Sequence, residues 1–113
     1  MIPYGRQNLN QKDIDSVVDV LKSEYLTQGP VVPKFEKSVA SYCGAQYGIA
    51  VNSATSALHL ACLALGVGKG DVVWTSPISF VASANCALYC EADVDFVDID
   101  DKTYNLSVKK LER

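Results

Sequence analysis

Three observations predict an α/β fold with a mostly parallel sheet. Apolar, β-forming runs recur at Ile49-Ala50-Val51, at Val72-Val73-Trp74-Thr75 and around Val94, Phe96 and Ile99. Helical stretches separate them, one rich in Ala and Leu and one rich in small residues. The first two strand ends also pass into short polar loops that lead straight into those helices. Strand–helix–strand–helix–strand, with two more helices ahead of it, is the alternation of an α/β chain whose strands run parallel.

In chain order, residues 1–9 read as an extended arm, because Pro3 and Gly5 oppose regular structure. A first helix starts after Asn10, a good N-cap, with Asp13 three positions on to complete a capping box. Ile14, Val17, Val18, Leu21 and Tyr25 fall at helical spacing, while Lys12, Asp15, Asp19 and Lys22 face outward. Gly29-Pro30 breaks that helix. Pro33 suits the first turn of a second helix, which should turn Phe35, Val39 and Tyr42 inward and end at Gly44.

The run Ile49-Ala50-Val51 has no alternation, as expected of a strand covered on both faces. Asn52-Ser53-Ala54-Thr55-Ser56 follows, all small and mostly hydroxylated, and then a helix from Ala57 to Leu65 that ends at Gly66. The first amides of a helix lack partners within it and carry the positive end of its dipole. Small hydroxyl residues delivered there by a strand make a candidate phosphate site. A plain capped helix, with Ser53 or Thr55 as N-cap, fits the same residues.

Gly66-Val67-Gly68-Lys69-Gly70-Asp71 is a tight helix-to-strand connection. It lacks both the order of a dinucleotide fingerprint and the ending of a P-loop. Val72 to Thr75 form the second strand, stopped by Pro77, and Ser79 to Leu88 the fourth helix. Val94, Phe96 and Ile99 mark the third strand. The acidic residues from Glu91 to Asp101 lack calcium-loop spacing and read as a solvated strand end. Ser107 can cap a last helix.

Composition narrows the class. The chain has 113 residues, 49% hydrophobic and 20% charged, as in an ordinary globular protein. A formal charge of −3 leaves no basic stripe for nucleic acid. No apolar run approaches the length of a membrane span, and residues 1–20 lack a leader pattern, so the expected location is cytoplasmic. Cys43, Cys62, Cys86 and Cys90 form no C-x-x-C pair and read as reduced, buried thiols. His59 reads as a helix-surface residue, and no metal is expected.

In parallel sheets ligands gather at the carboxyl ends of the strands. Those ends are Asn52–Thr55, Ser76-Pro77-Ile78-Ser79-Phe80 and the segment after Val97. The first offers amides and hydroxyls, the second an aromatic ring. Together they suit a flat, phosphorylated cofactor.

Three stretches in order resemble the DegT/StrS family of sugar aminotransferases, fold-type I enzymes dependent on pyridoxal 5′-phosphate. They are Tyr25-Leu26-Thr27-Gln28-Gly29-Pro30, Asn52 to Leu58, and Ser76-Pro77-Ile78-Ser79-Phe80 through Asn85, continued by Asp98-Ile99-Asp100 and Thr103-Tyr104-Asn105. Within the family the likeness is to transaminases that aminate C4 of a UDP-linked 4-keto-6-deoxy-N-acetylhexosamine, on the route to pseudaminic acid. The resemblance implies that Ala54 and Thr55 bind the cofactor phosphate and that Phe80 stacks on its ring. It sets Tyr4, Glu24, Tyr25, Leu26 and Thr27 against the sugar nucleotide, and implies glutamate as amino donor and a homodimer.

The same resemblance implies the N-terminal part of a longer enzyme. Residues 1–32 would form an arm, helix and substrate-side turn, and residues 33–113 an incomplete cofactor-binding large domain. The family's Schiff-base Lys and its Asp for the pyridine nitrogen match no residue here, so this chain alone is expected to be inactive. In fold-type I enzymes the strand ending at Val51 lies apart from those at 72–75 and 94–97, so the three are not expected to form one sheet. A freestanding flavodoxin-like phosphate-binding module is the alternative.

Overall fold

A computed structural model describes residues 5–112. Helices α1 (Gln11–Leu21), α2 (Val31–Cys43) and α3 (Ala54–Ala64) precede strand β1 (Val72–Thr75), helix α4 (Ala82–Leu88), strand β2 (Asp93–Phe96) and helix α5 (Val108–Leu111). The chain divides after Ala50 into two compact units.

In the first unit, α1 begins as its sequence requires. Asn10 Oδ1 accepts from Lys12 N and Asp13 N, and Asp13 Oδ2 accepts from Asn10 N at 2.9 Å, so the capping box closes both ways. Pro33 occupies the first turn of α2, and Gly44 ends it at φ 66°, a left-handed position that suits glycine. The apolar faces expected of these helices form but stay largely uncovered. Ile14, Val17, Leu21, Phe35 and Val39 are exposed, and Tyr42 is 93% exposed; only Ala40 is buried. Helical spacing decides which face is apolar, not whether anything packs against it.

The second unit is built on β1–α4–β2. The two strands pair in parallel with Val73 opposite Val94, and α4 packs on both strands and on α3. Its core consists of small side chains: Ala82, Cys86, Ala87, Cys90, Ala92 and Val97. Cys86 and Cys90 are buried thiols as expected, while Cys43 is exposed and Cys62 lies between. Burial, with the neighbouring Cys86 and Cys90 thiols, raises the Cys62 pKa. His59 is half-buried and meets the Tyr89 ring edge-on at 5.3 Å, so it is a packing residue more than a free surface one.

Three expected elements differ. Ile49-Ala50-Val51 forms no ladder among the described residues, and Ile49 is 80% exposed. A strand exists only with a partner, and the Ala50 amide is spent on a carboxylate instead, Glu36 Oε1 at 2.8 Å. Val51 and Val73 share no ladder, as the resemblance implied. Helix α4 starts at Ala82 rather than Ser79, because Ser83 N and Ala84 N donate to Phe80 O and Val81 O in a tighter entry turn. Ile99 lies beyond β2, in an isolated antiparallel bridge with Leu106.

Candidate functional site

The turn Asn52–Ser56 is held together by its own side chains. Ser53 is the N-cap of α3, and its Oγ accepts from Ser56 N at 3.2 Å. Asn52 Oδ1 accepts from Ser56 Oγ at 2.8 Å, and the Ser53 and Ser56 hydroxyls lie 3.0 Å apart. Ala57 N, the next donor, bonds to Ser53 O. The cap therefore satisfies the third and fourth amides of the helix and leaves the first two. Among the described residues the amides of Ala54 and Thr55 and the Thr55 hydroxyl donate to nothing. Three donors at the positive end of an 11-residue helix form an arrangement suited to a phosphate dianion. The choice between Ser53 and Thr55 as cap is thus resolved in favour of Ser53.

Phe80 stands at the exit of β1, in the same unit. Ser76 Oγ accepts from Ile78 N at 3.2 Å, and the Ser79 and Ser83 hydroxyls pair at 2.8 Å, which shapes the turn from Pro77 to Val81. Phe80 itself is 74% exposed, so its ring is available rather than committed to the core.

After β2, Asp98 and Asp100 shape the backbone. Asp100 Oδ1 accepts from the amides of Lys102 and Thr103 and from the Thr103 hydroxyl, which holds its carboxyl below the usual range. Asp98 Oδ2 accepts from Lys110 Nζ at 2.7 Å, and that lysine with the Ile99 amide lowers its pKa too. A carboxyl depressed in the folded state adds stability that is complete above its unfolded pKa and is lost as pH falls through the folded value. Lys110→Met is expected to flatten this acid limb in melting curves of the complete protein between about pH 5 and pH 2. An unchanged limb would leave the pair without a role in stability.

The turn expected to meet substrate belongs to the first unit. Glu24, Tyr25, Leu26 and Thr27 are all exposed. Ser23 Oγ donates to Val20 O and Tyr25 O, and Gln28 adopts φ 52°, so the chain folds back on Tyr25. Glu24 and Tyr25 border a shallow hollow of about 340 Å³ with Asp19, Val20, Pro30 and Val31. Tyr4 lies outside the described residues. The structure thus joins Ala54 and Thr55 in one turn and leaves Phe80 exposed after β1. Ser53 is legible in sequence as a cap candidate, Ser56 and Asn52 only as small polar residues.

The sequence pattern of the DegT/DnrJ/EryC1/StrS aminotransferase family matches residues 7–113. The chain belongs to this family. It is 47% identical over 112 residues to the UDP-4-amino-4,6-dideoxy-N-acetyl-beta-L-altrosamine transaminase of Campylobacter jejuni, covering 99% of this chain and 29% of that protein. It is 42% identical over 111 residues to the spore coat polysaccharide biosynthesis protein SpsC of Bacillus subtilis, covering 98% of this chain and 28% of SpsC. The fold superposes with a TM-score of 0.91, at 32% identity, on a protein of Streptococcus pneumoniae described as a sugar aminotransferase and solved in its PLP form; the overlap covers 98% of this chain and 28% of that one. The chain thus spans under a third of the length of these family members. Membership favours the fold-type I aminotransferase reading over a flavodoxin-like module. No helix among the described residues is long and apolar enough to cross a membrane.

Proposed function

We propose that this chain is the N-terminal portion of a cytoplasmic, homodimeric, pyridoxal-phosphate-dependent aminotransferase. The complete enzyme transfers an amino group from glutamate to C4 of a UDP-linked 4-keto-6-deoxy-N-acetylhexosamine, on the route to pseudaminic acid. In this reading residues 1–32 serve as arm, helix and substrate-side turn, and residues 33–113 as part of the cofactor-binding domain. The observation that carries the proposal is the trio of unengaged donors at Ala54 and Thr55, in a chain of this family. The 47% identity to the Campylobacter enzyme supports the choice of sugar.

When bound, the cofactor supplies an electron sink for the charge that develops as a proton leaves the amino donor. The residues of this chain hold it. The amides of Ala54 and Thr55 and the Thr55 hydroxyl bind its phosphate, with the α3 dipole adding to the attraction. Phe80 would stack on the pyridine ring and shield that face from water. Tyr4 and Glu24 to Thr27 contact the sugar nucleotide. No lysine of this chain is assigned the role of carrying the cofactor.

In the complete enzyme, Thr55→Ala is expected to weaken cofactor binding by about 1–3 kcal/mol, as for a lost hydrogen bond to a charged group. Phe80→Ala should cost about 0.5–1.5 kcal/mol beyond area burial. Equilibrium dissociation constants for the cofactor measure both. Unchanged constants would reduce Thr55 to a helix residue and Phe80 to an exposed aromatic. Incubating the enzyme with glutamate and the UDP-linked 4-keto sugar, and weighing the product, tests the reaction. Amination of a GDP-linked 4-keto sugar but not the UDP-linked one would overturn the substrate.

A further inference from the structure

Asn52 stands one residue before the N-cap of α3, and its carboxamide oxygen gathers the hydroxyls of Ser53 and Ser56. Oδ1 accepts from Ser56 Oγ at 2.8 Å and from Ser53 Oγ at 3.4 Å, while Ser53 Oγ accepts from Ser56 N. All of these residues belong to the second unit. The start of α1 is closed differently. There the third helical position holds Asp13, whose carboxylate reaches back to the N-cap amide. In α3 that position holds Ser56, whose hydroxyl goes to Asn52 instead, and no acidic residue lies in the first turn. The cap of α3 is therefore built wholly from uncharged groups.

A carboxylate in place of the Asn52 carboxamide would accept the same hydroxyls more strongly. It would also suit the positive end of the helix dipole. Helix stability alone would thus be served at least as well by an aspartate. A fixed negative charge there would, however, spend on itself the potential offered by the Ala54 and Thr55 amides, and would repel a phosphate dianion. Asparagine has the shape and the acceptor of aspartate without its charge.

We propose that Asn52 is a positioning residue whose neutral carboxamide orders the Ser53 and Ser56 hydroxyls and keeps the positive end of α3 electrically vacant for the cofactor phosphate. The inference rests on reading Ala54 and Thr55 as the phosphate site. Asn52 itself is given no contact with the cofactor.

Two variants of the complete enzyme test the two halves of this role. Asn52→Asp keeps the acceptor and adds charge; Asn52→Leu keeps the size and removes the acceptor. Dissociation constants are measured for pyridoxal 5′-phosphate and for pyridoxal, which lacks the phosphate, together with melting of the cofactor-free enzyme. Asn52→Asp is expected to melt no lower than the parent, yet to raise the constant for the phosphorylated ligand about tenfold and leave that for pyridoxal unchanged. Asn52→Leu and Ser56→Ala remove the two ends of one hydrogen bond. Each should weaken the phosphorylated ligand about threefold or more, and the double variant should be no weaker than the worse single one.

Parental affinity in Asn52→Asp, equal losses for both ligands or a lowered melting temperature would each overturn the role of neutrality. Parental affinity in Asn52→Leu, or additive losses with Ser56→Ala, would overturn the ordering role. Thr55→Ala, measured in parallel, distinguishes this inference from the reading beneath it. If it too binds as the parent does, the phosphate site itself is misplaced. If it is weakened while the Asn52 variants are not, only the role of Asn52 falls.

Discussion

Incubated alone with pyridoxal 5′-phosphate and borohydride, the 113-residue chain is expected to yield no stoichiometrically labelled lysine and to show no transaminase activity. The lysines of the chain are placed for other work. Lys12, Lys22, Lys34 and Lys37 belong to the first unit, on or beside α1 and α2. Lys110 holds Asp98 at 2.7 Å, next to Lys109 in α5, and Lys102 sits in the turn that Asp100 closes. Lys69 is nearest the cofactor turn in sequence, but it lies in the connection beyond the far end of α3. The 11 residues of that helix set its two ends about 16 Å apart. Peptide mapping after reduction reads the outcome directly. One stoichiometric phosphopyridoxyl-lysine, above all at Lys69, would show that the chain supplies the cofactor-carrying amine itself.

The isolated chain is also expected to self-associate, and to exchange the amides of Ile49 and Val51 much faster than those of Val72–Thr75. Among the described residues the stretch from Ile49 to Val51 has no ladder and β1 and β2 pair only with each other, so each keeps an open edge. Open edges expose donors and acceptors that template pairing with other chains. The core cannot offset this, because what it buries is mainly alanine and cysteine, while Leu21, Phe35, Trp74 and Phe96 stay exposed. Apolar stabilisation scales with the area removed from water, and small side chains remove little. Light scattering with residue-resolved exchange is the test. Slow exchange along both segments in a monomer would mean that residues 49–51 are covered without further strands.

Much of this architecture is readable in the chain because local chemistry decides it. Asn10 with Asp13, Gly44 after α2 and Ser53 before α3 each stand where a backbone end needs that residue type, whatever surrounds it. The βαβ arrangement of β1, α4 and β2 follows from alternation and short connections. The composition of Ile49-Ala50-Val51 is shared by a doubly covered strand and an uncovered extended segment; only neighbours tell them apart. Nothing in Ser79-Phe80-Val81 forbids a helix, and the tighter entry turn there depends on its neighbours in three dimensions. The candidate site was legible as a cluster of small hydroxyl residues. Which amides would remain free depended on whether Ser53 or Thr55 captured the cap. The bond from the Ala50 amide to Glu36 gave no signal, since an acidic residue on an exposed helix face is the commonest of patterns.

The mutual bonding of Asn52, Ser53 and Ser56 also bears on the thermodynamics of capture. A backbone segment that must be ordered by its ligand forfeits about 1–2 kcal/mol per residue in conformational entropy. This turn is already ordered by its own hydroxyls, so an arriving anion meets donors that are frozen in place. Its affinity is then set by how well a tetrahedral group fits between two amides and a hydroxyl, with little loss to rearrangement. Such a socket grips any phosphate monoester by the same end and is indifferent to what the phosphate carries. Under the proposed function, discrimination between cofactors would therefore come from the ring side, the part assigned to Phe80.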